Sequence, residues 1–127
     1  MKTFWEYVSE IEDFYRKNGV TIDPVPEVKL DKTEAYRFDP LIPTANYNPN
    51  ANVISLYIDG RHLKDILRSL CHELIHHNQF LTDRSGFVKA SRIGSLNENE
   101  QLEELEGDAY RRGNLMFRKW TETYTKG

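Results

Sequence analysis

Apolar positions along the chain fall into stretches of helical spacing separated by a segment that cannot be helical. Near the start, Phe4, Val8, Ile11 and Tyr15 recur every three or four residues. Thr3 and Glu6 form a T-x-x-E capping box ahead of them, and Gly19 stands where a first helix would end. Between Val20 and Asn52 lie all five prolines and the asparagines at 46, 48, 50 and 52, so this stretch predicts short strands joined by turns. Val28–Leu30 and Ala35–Phe38 fit the arms of a hairpin. The clearer strand is Val53–Ile58, where Ile54, Leu56 and Ile58 alternate with Val53, Ser55 and Tyr57 before Asp59-Gly60 ends it.

From Arg61 to Leu81 the stripe Leu63, Ile66, Leu67, Leu70, Cys71, Leu74 and Ile75 predicts a second helix, with Asp59 available as its N-cap. A loop is expected from Asp83 to Ser95. Asn97 with Glu100 resembles another capping box, and Leu102, Leu105, Ala109, Met116 and Trp120 follow one side of a last helix to about Thr123. No internal repeat or low-complexity segment interrupts this order. The pattern predicts a single α+β domain over residues 1–127, with three main helices and a small mixed or antiparallel sheet.

Length and composition narrow the class. A chain of 127 residues supports one core and buries roughly two-thirds of its unfolded surface, so folding does not require a metal or disulfide staple. Six Phe, seven Tyr and two Trp are too many aromatics for a disordered segment. The 17 basic and 20 acidic residues are intermixed at a net charge of -3, without the Lys/Arg block that phosphate binding needs, which argues against a nucleic-acid partner. The lone Cys71 excludes an internal disulfide and fits a reducing compartment. Glu6, Glu10, Glu12 and Asp13 break up the N-terminus where a signal peptide would be apolar, and no window approaches membrane-spanning length. The expectation is a soluble, cytoplasmic protein with no membrane partner; oligomeric state stays open.

The chemistry concentrates in the second helix, where His72-Glu73-Leu74-Ile75-His76 forms an H-E-x-x-H motif. Composition alone predicts about 0.01 chance occurrences of that string in a chain like this one. On a helix the two histidines are about 40° apart, one turn up the same face, so both imidazoles reach one tetrahedral zinc. Glu73 projects beside them, where a carboxylate can take a proton from a metal-activated water and return it to a leaving amine. A bland alternative is two surface histidines, since both lie away from the Leu70/Leu74 stripe. An active-site helix shares that property, because its metal face lines a cleft.

Two histidines do not complete a catalytic zinc site, which takes three protein ligands and keeps one position open. His62 is too early on the helix, and the residues after His76 lack the longer H-x-x-G-x-x-H extension. An acidic run, Glu103-Glu104-Leu105-Glu106-Gly107-Asp108, follows on the last helix. H-E-x-x-H followed by E-x-x-x-D resembles the gluzincin metallopeptidases, most nearly their minimal single-domain members. That resemblance assigns Glu104 as third ligand and Asp108 as the acceptor that orients a ligating histidine. The i,i+4 spacing of these two agrees with such a pairing, whereas Glu106 lies about 200° from Glu104, toward Leu102 and Ala109. Glu103 remains a second choice, and a solvated acidic face is the structural alternative. Gly107 would permit close approach of a neighbouring helix.

The resemblance further implies a zincin-like fold with the active-site helix under an edge strand, for which Val53–Ile58 is the expected strand, and a peptide or protein substrate paired along it. It implies a zinc-dependent metalloendopeptidase in which His72, His76 and Glu104 hold Zn2+ and Glu73 is general base and acid. The oxyanion donor stays open among Tyr110, Tyr57, His77 and Gln79, each with a structural alternative. His77 reads as a hydrogen-bonded, partly buried histidine and Cys71 as a small core residue. The rival function is a zinc-containing peptide-binding or latent, self-inhibited module without turnover. A weaker option is a toxin or repressor-cleaving factor of a phage or mobile element.

Overall fold

The computed structural model describes residues 2–32, 44–92 and 100–125. Four helices and a three-stranded mixed sheet occur among them, in the order α1 (Phe4–Lys17), β1 (Glu27–Asp31), β2 (Ala45–Asn48), β3 (Val53–Tyr57), α2 (Leu63–Thr82), α3 (Arg84–Arg92) and α4 (Glu100–Thr125). The α+β class is as expected, with one helix more than the pattern predicts. No helix of the described residues is long and apolar enough to cross a membrane.

The first helix begins where its capping box places it, with Thr3 Oγ1 accepting the Glu6 backbone N–H at 3.2 Å. It ends at Asn18 and a left-handed Gly19 (φ 76°). Val8, Ile11 and Tyr15 form its buried side. The Tyr15 hydroxyl donates to the Cys71 carbonyl at 2.7 Å, which ties α1 to the middle of α2. Cys71 is fully buried, and burial pushes its thiol up to about 12, so it packs as a core residue and is no nucleophile.

Strand pairing departs from the expected hairpin. Val28–Leu30 is extended, but β1 pairs in parallel with β3, Val28 opposite Ile54 and Leu30 opposite Leu56. Ala35–Phe38, its expected partner, lies outside the described residues, as does Asn97 of the expected cap on the last helix. The hairpin is instead β2–β3, antiparallel, closed by a turn in which Asn48 Oδ1 accepts the N–H groups of Asn50 and Ala51 and Asn52 takes φ 55°. In the order β1-β3-β2, the strand expected at the edge is central. The physical reason lies in its side chains: Ile54 and Leu56 are fully buried while Val53, Ser55 and Tyr57 are half-buried on the other face, so neither face is open. The outer strand beside the helices is β2.

Two side chains hold β2 against α2. Arg61 donates to the Thr44 and Tyr57 carbonyls at 3.2 and 2.8 Å and to Ser69 Oγ at 2.7 Å, fixing the start of the strand. His77, 1% exposed, has Nε2 at 2.9 and 2.8 Å from the Ile22 and Pro24 carbonyls. Carbonyls only accept, so Nε2 carries the proton and Nδ1 accepts from the Tyr47 hydroxyl at 2.7 Å. The histidine is more deeply buried than the sequence suggests and is fully used as a tie.

The α2 helix starts after His62, without a side-chain cap; Asp59 and the left-handed Gly60 (φ 70°) form the turn before it. The segment expected as a loop forms α3 over Arg84–Arg92. Asp83 caps it, its Oδ1 accepting the Gly86 N–H at 3.0 Å, while Phe87 and Ala90 bury its inner side. The last helix crosses α2 with opposite sense: Leu105 meets Gln79 near one end, and Gly113 meets Cys71 and His72 further along. A Cβ at Gly113 would stand 2.9 Å from His72 Cα and 3.1 Å from its nitrogen, so this glycine sets the helix–helix approach. Gly107, expected in that role, faces only the side chain of Arg111.

Candidate metal centre

The α2 helix has one face in the core and one in a cleft. Leu70, Cys71, Leu74 and Ile75 are fully buried on the first, and His72 and His76 stack one turn apart on the second, their ring centroids 4.9 Å apart. From α4, Glu106 extends between them, Oε2 at 3.4 Å from His72 Nε2 and Oε1 at 3.2 Å from His76 Nε2. Ligand atoms of the three residues all lie within 4.8 Å of one another. Donors at ~2.0–2.1 Å from one tetrahedral ion are separated by about 3.3 Å from each other, so these spacings fit a single site. His72, His76 and Glu106 form a group that can hold a metal ion.

The third carboxylate is therefore not the expected one. Glu104 is exposed and lines a separate cavity of about 350 Å³ with Gln79, Asp108 and Arg112, turned away from both histidines. Glu103 is exposed as well and is not in the cluster. The reason is the face on which α4 packs: Glu106 precedes Ala109 by three residues and Gly113 by seven, placing it on the α2-facing side with these buried positions. A ligand to histidines on α2 has to come from that side.

Asp108 does not touch a histidine. Its oxygens accept from Arg112 Nε at 2.8 Å and Nη2 at 2.6 Å, and Oδ2 also accepts from Gln79 Nε2 at 2.9 Å. The Arg112 guanidinium holds this carboxyl below the ordinary carboxylate range. Gln79 reaches His76 in its place, Oε1 lying 2.8 Å from His76 Nδ1. The contact is local, three residues along α2; what comes from α4 is the pair of acceptors, the Leu105 carbonyl and Asp108, that the other end of the Gln79 amide meets.

Glu73 sits beside the ligand set on α2, only 7% exposed, and its carboxyl is pushed up by burial against the pull of His76 and His72. Glu106 moves the other way, held far below the ordinary range by its contacts with His72 and His76. Burial pulls His76 down, but Glu106 and Glu73 outweigh it and the net direction is up. Two carboxyl groups thus face one pair of imidazoles with opposite tendencies, one pushed up by burial, the other held down by the histidines.

These residues open on a cavity of about 810 Å³. The β2 segment forms one wall with Asn46 and Tyr47, while Phe87 and Leu105 supply apolar surface and Tyr110 and Asn114 continue the α4 side past Glu106. Of the possible oxyanion donors, Tyr110 lines this cavity and is 67% exposed; His77 and Gln79 are committed to the hydrogen bonds described, and Tyr57 is not part of the wall. Compared with protein-family models, curated proteins and solved structures, the chain matches none, and what the site can do follows from its own geometry.

Proposed function

We propose that the protein is a zinc-dependent peptidase whose ion is held by His72, His76 and Glu106 and whose proton-transfer group is Glu73. The observation that carries this reading is the convergence of two imidazole nitrogens and one carboxylate, from two helices, at the wall of an open cavity that also contains a buried carboxyl. Two nitrogens and one oxygen suit zinc, and three protein ligands leave its fourth position for water or substrate. When bound, the ion supplies Lewis acidity, lowering the pKa of water toward ~7 and polarising a carbonyl.

The chain's own groups account for the rest. Glu73 is placed to accept a proton at its carboxylate and pass it to the departing amine, and its burial keeps that pKa above that of a free side chain. Glu106 balances the ion's charge. The β2 strand, outermost in the described sheet and part of the cavity wall, offers backbone groups to an extended chain, which favours a peptide or protein over a compact small molecule. Tyr110 presents a hydroxyl on the same wall.

A degenerate peptide mixture incubated with the zinc-loaded chain tests the reading. Mass spectrometry should find new termini that vanish on chelation and return when zinc is added back. Zinc bound at one ion per chain with no cleavage product would set the peptidase reading aside in favour of a binding module.

A further inference from the structure

Gln79 stands three residues beyond His76 on α2, 6% exposed, with both ends of its amide engaged. Nε2 donates to the Leu105 carbonyl and to Asp108 Oδ2, each at 2.9 Å. The first can only accept. Asp108 is held as a carboxylate by the two-pronged Arg112 contact, at 2.8 and 2.6 Å, so it also only accepts. The NH2 end of the amide must therefore face α4, which leaves Oε1 toward His76 Nδ1 at 2.8 Å. An amide oxygen cannot donate, so Nδ1 carries a proton, and the nitrogen left to bind an ion is Nε2. That is the nitrogen turned to Glu106 at 3.2 Å.

We propose that Gln79 is a positioning residue of the metal centre, holding the ring plane of His76 and a proton on its Nδ1 so that Nε2 is the nitrogen that meets an ion. The two acceptors that orient its amide both sit on α4, the helix that carries Glu106. One packing event, the seating of α4 on α2 at Gly113, therefore aligns the carboxylate ligand and one histidine together. No equivalent acceptor meets His72 Nδ1 among the described residues, so the control acts on one ligand. The proposal rests on the metal-binding part of the proposed function and is independent of peptidase turnover.

The test uses the full chain, zinc as the only probe, and nitrogen-15 imidazole spectra with a competitive zinc titration. In the zinc-loaded wild type, His76 should show a protonated Nδ1 and a metal-bound Nε2. Gln79→Leu should weaken zinc binding by about 10–100-fold, the range expected for a group supporting a ligand. In that variant without metal, at a pH where the imidazole is neutral, His76 should shift toward the tautomer protonated at Nε2, where Glu106 accepts, while His72 keeps its wild-type signature. Asp108→Asn, which allows the Gln79 amide to turn over, should produce a smaller loss and a partial shift in the same direction, and it serves if Gln79→Leu does not fold. Zinc binding unchanged in Gln79→Leu, or a wild-type His76 that ligates through Nδ1, overturns the proposal alone. A wild type that binds no zinc overturns the metal reading with it.

Discussion

Replacing Glu73 with Gln should leave about one zinc bound per chain and reduce peptide hydrolysis by at least ~10²–10⁴-fold, the usual contribution of a positioned acid–base group. The change is nearly isosteric, so the buried position keeps its volume, and an amide has no proton to exchange in this role. Glu73 is not one of the three residues whose donor atoms converge, so metal content should not follow activity. It also removes a carboxyl that burial already disfavours in its charged form, so the folded protein should be no less stable than wild type by thermal melting. Loss of zinc together with activity would instead make Glu73 a ligand.

The second large effect separates two glutamates two residues apart. Glu106→Gln should weaken zinc binding by more than the ~10–100-fold that a supporting residue contributes, because it removes a charged ligand. Glu104→Gln should stay within about twofold of wild type, as expected for an exposed surface substitution away from the site. Competitive titration against a chromophoric chelator measures both. Neither position is in the core, so both variants should fold: Glu104 is exposed and Glu106 is 44% exposed at its side chain. If the two affinities were reversed, α4 would have to be turned by about half a rotation about its axis, against the contact of Gly113 with His72.

That pair also marks where the sequence stops being legible. H-E-x-x-H is local: two positions one turn apart on a helix share a face whatever the rest of the fold does, and the stripe from Leu63 to Ile75 establishes the helix independently. The third member of the group is not local. It depends on which side of α4 packs, and matching a spacing such as E-x-x-x-D selected Glu104 and Asp108, neither of which joins the group formed with the two histidines. The helical wheel held the better signal, since it set Glu106 beside Leu102 and Ala109, and a ligand to a neighbouring helix belongs at the border of the packed stripe. Asp108 illustrates a near miss of the same kind: it does bear on His76, but through Gln79.

The elements follow the same division. Periodicity identifies α1, α2, α4 and β3, each with several apolar positions at one spacing. It misses α3, whose buried anchors among the described side chains are Phe87 and Ala90 and whose start is signalled by the single cap Asp83. Strand neighbours are decided by contacts between distant segments, so β1 could be recognised as extended without revealing its parallel pairing to β3. The central place of β3, expected at the edge, follows from that one pairing. It moves the candidate substrate strand from Val53–Ile58 to Ala45–Asn48, beside the turn whose Asn50 also lines the cavity.

Anomalous diffraction at the zinc edge, on crystals of the full chain grown with zinc, tests the central claim most directly. The account predicts one peak per chain, bonded to His72 Nε2, His76 Nε2 and a Glu106 carboxylate oxygen, with Glu73 unbonded beside it. An ion held by Glu104, or no ion at the His72–His76 pair, would contradict it.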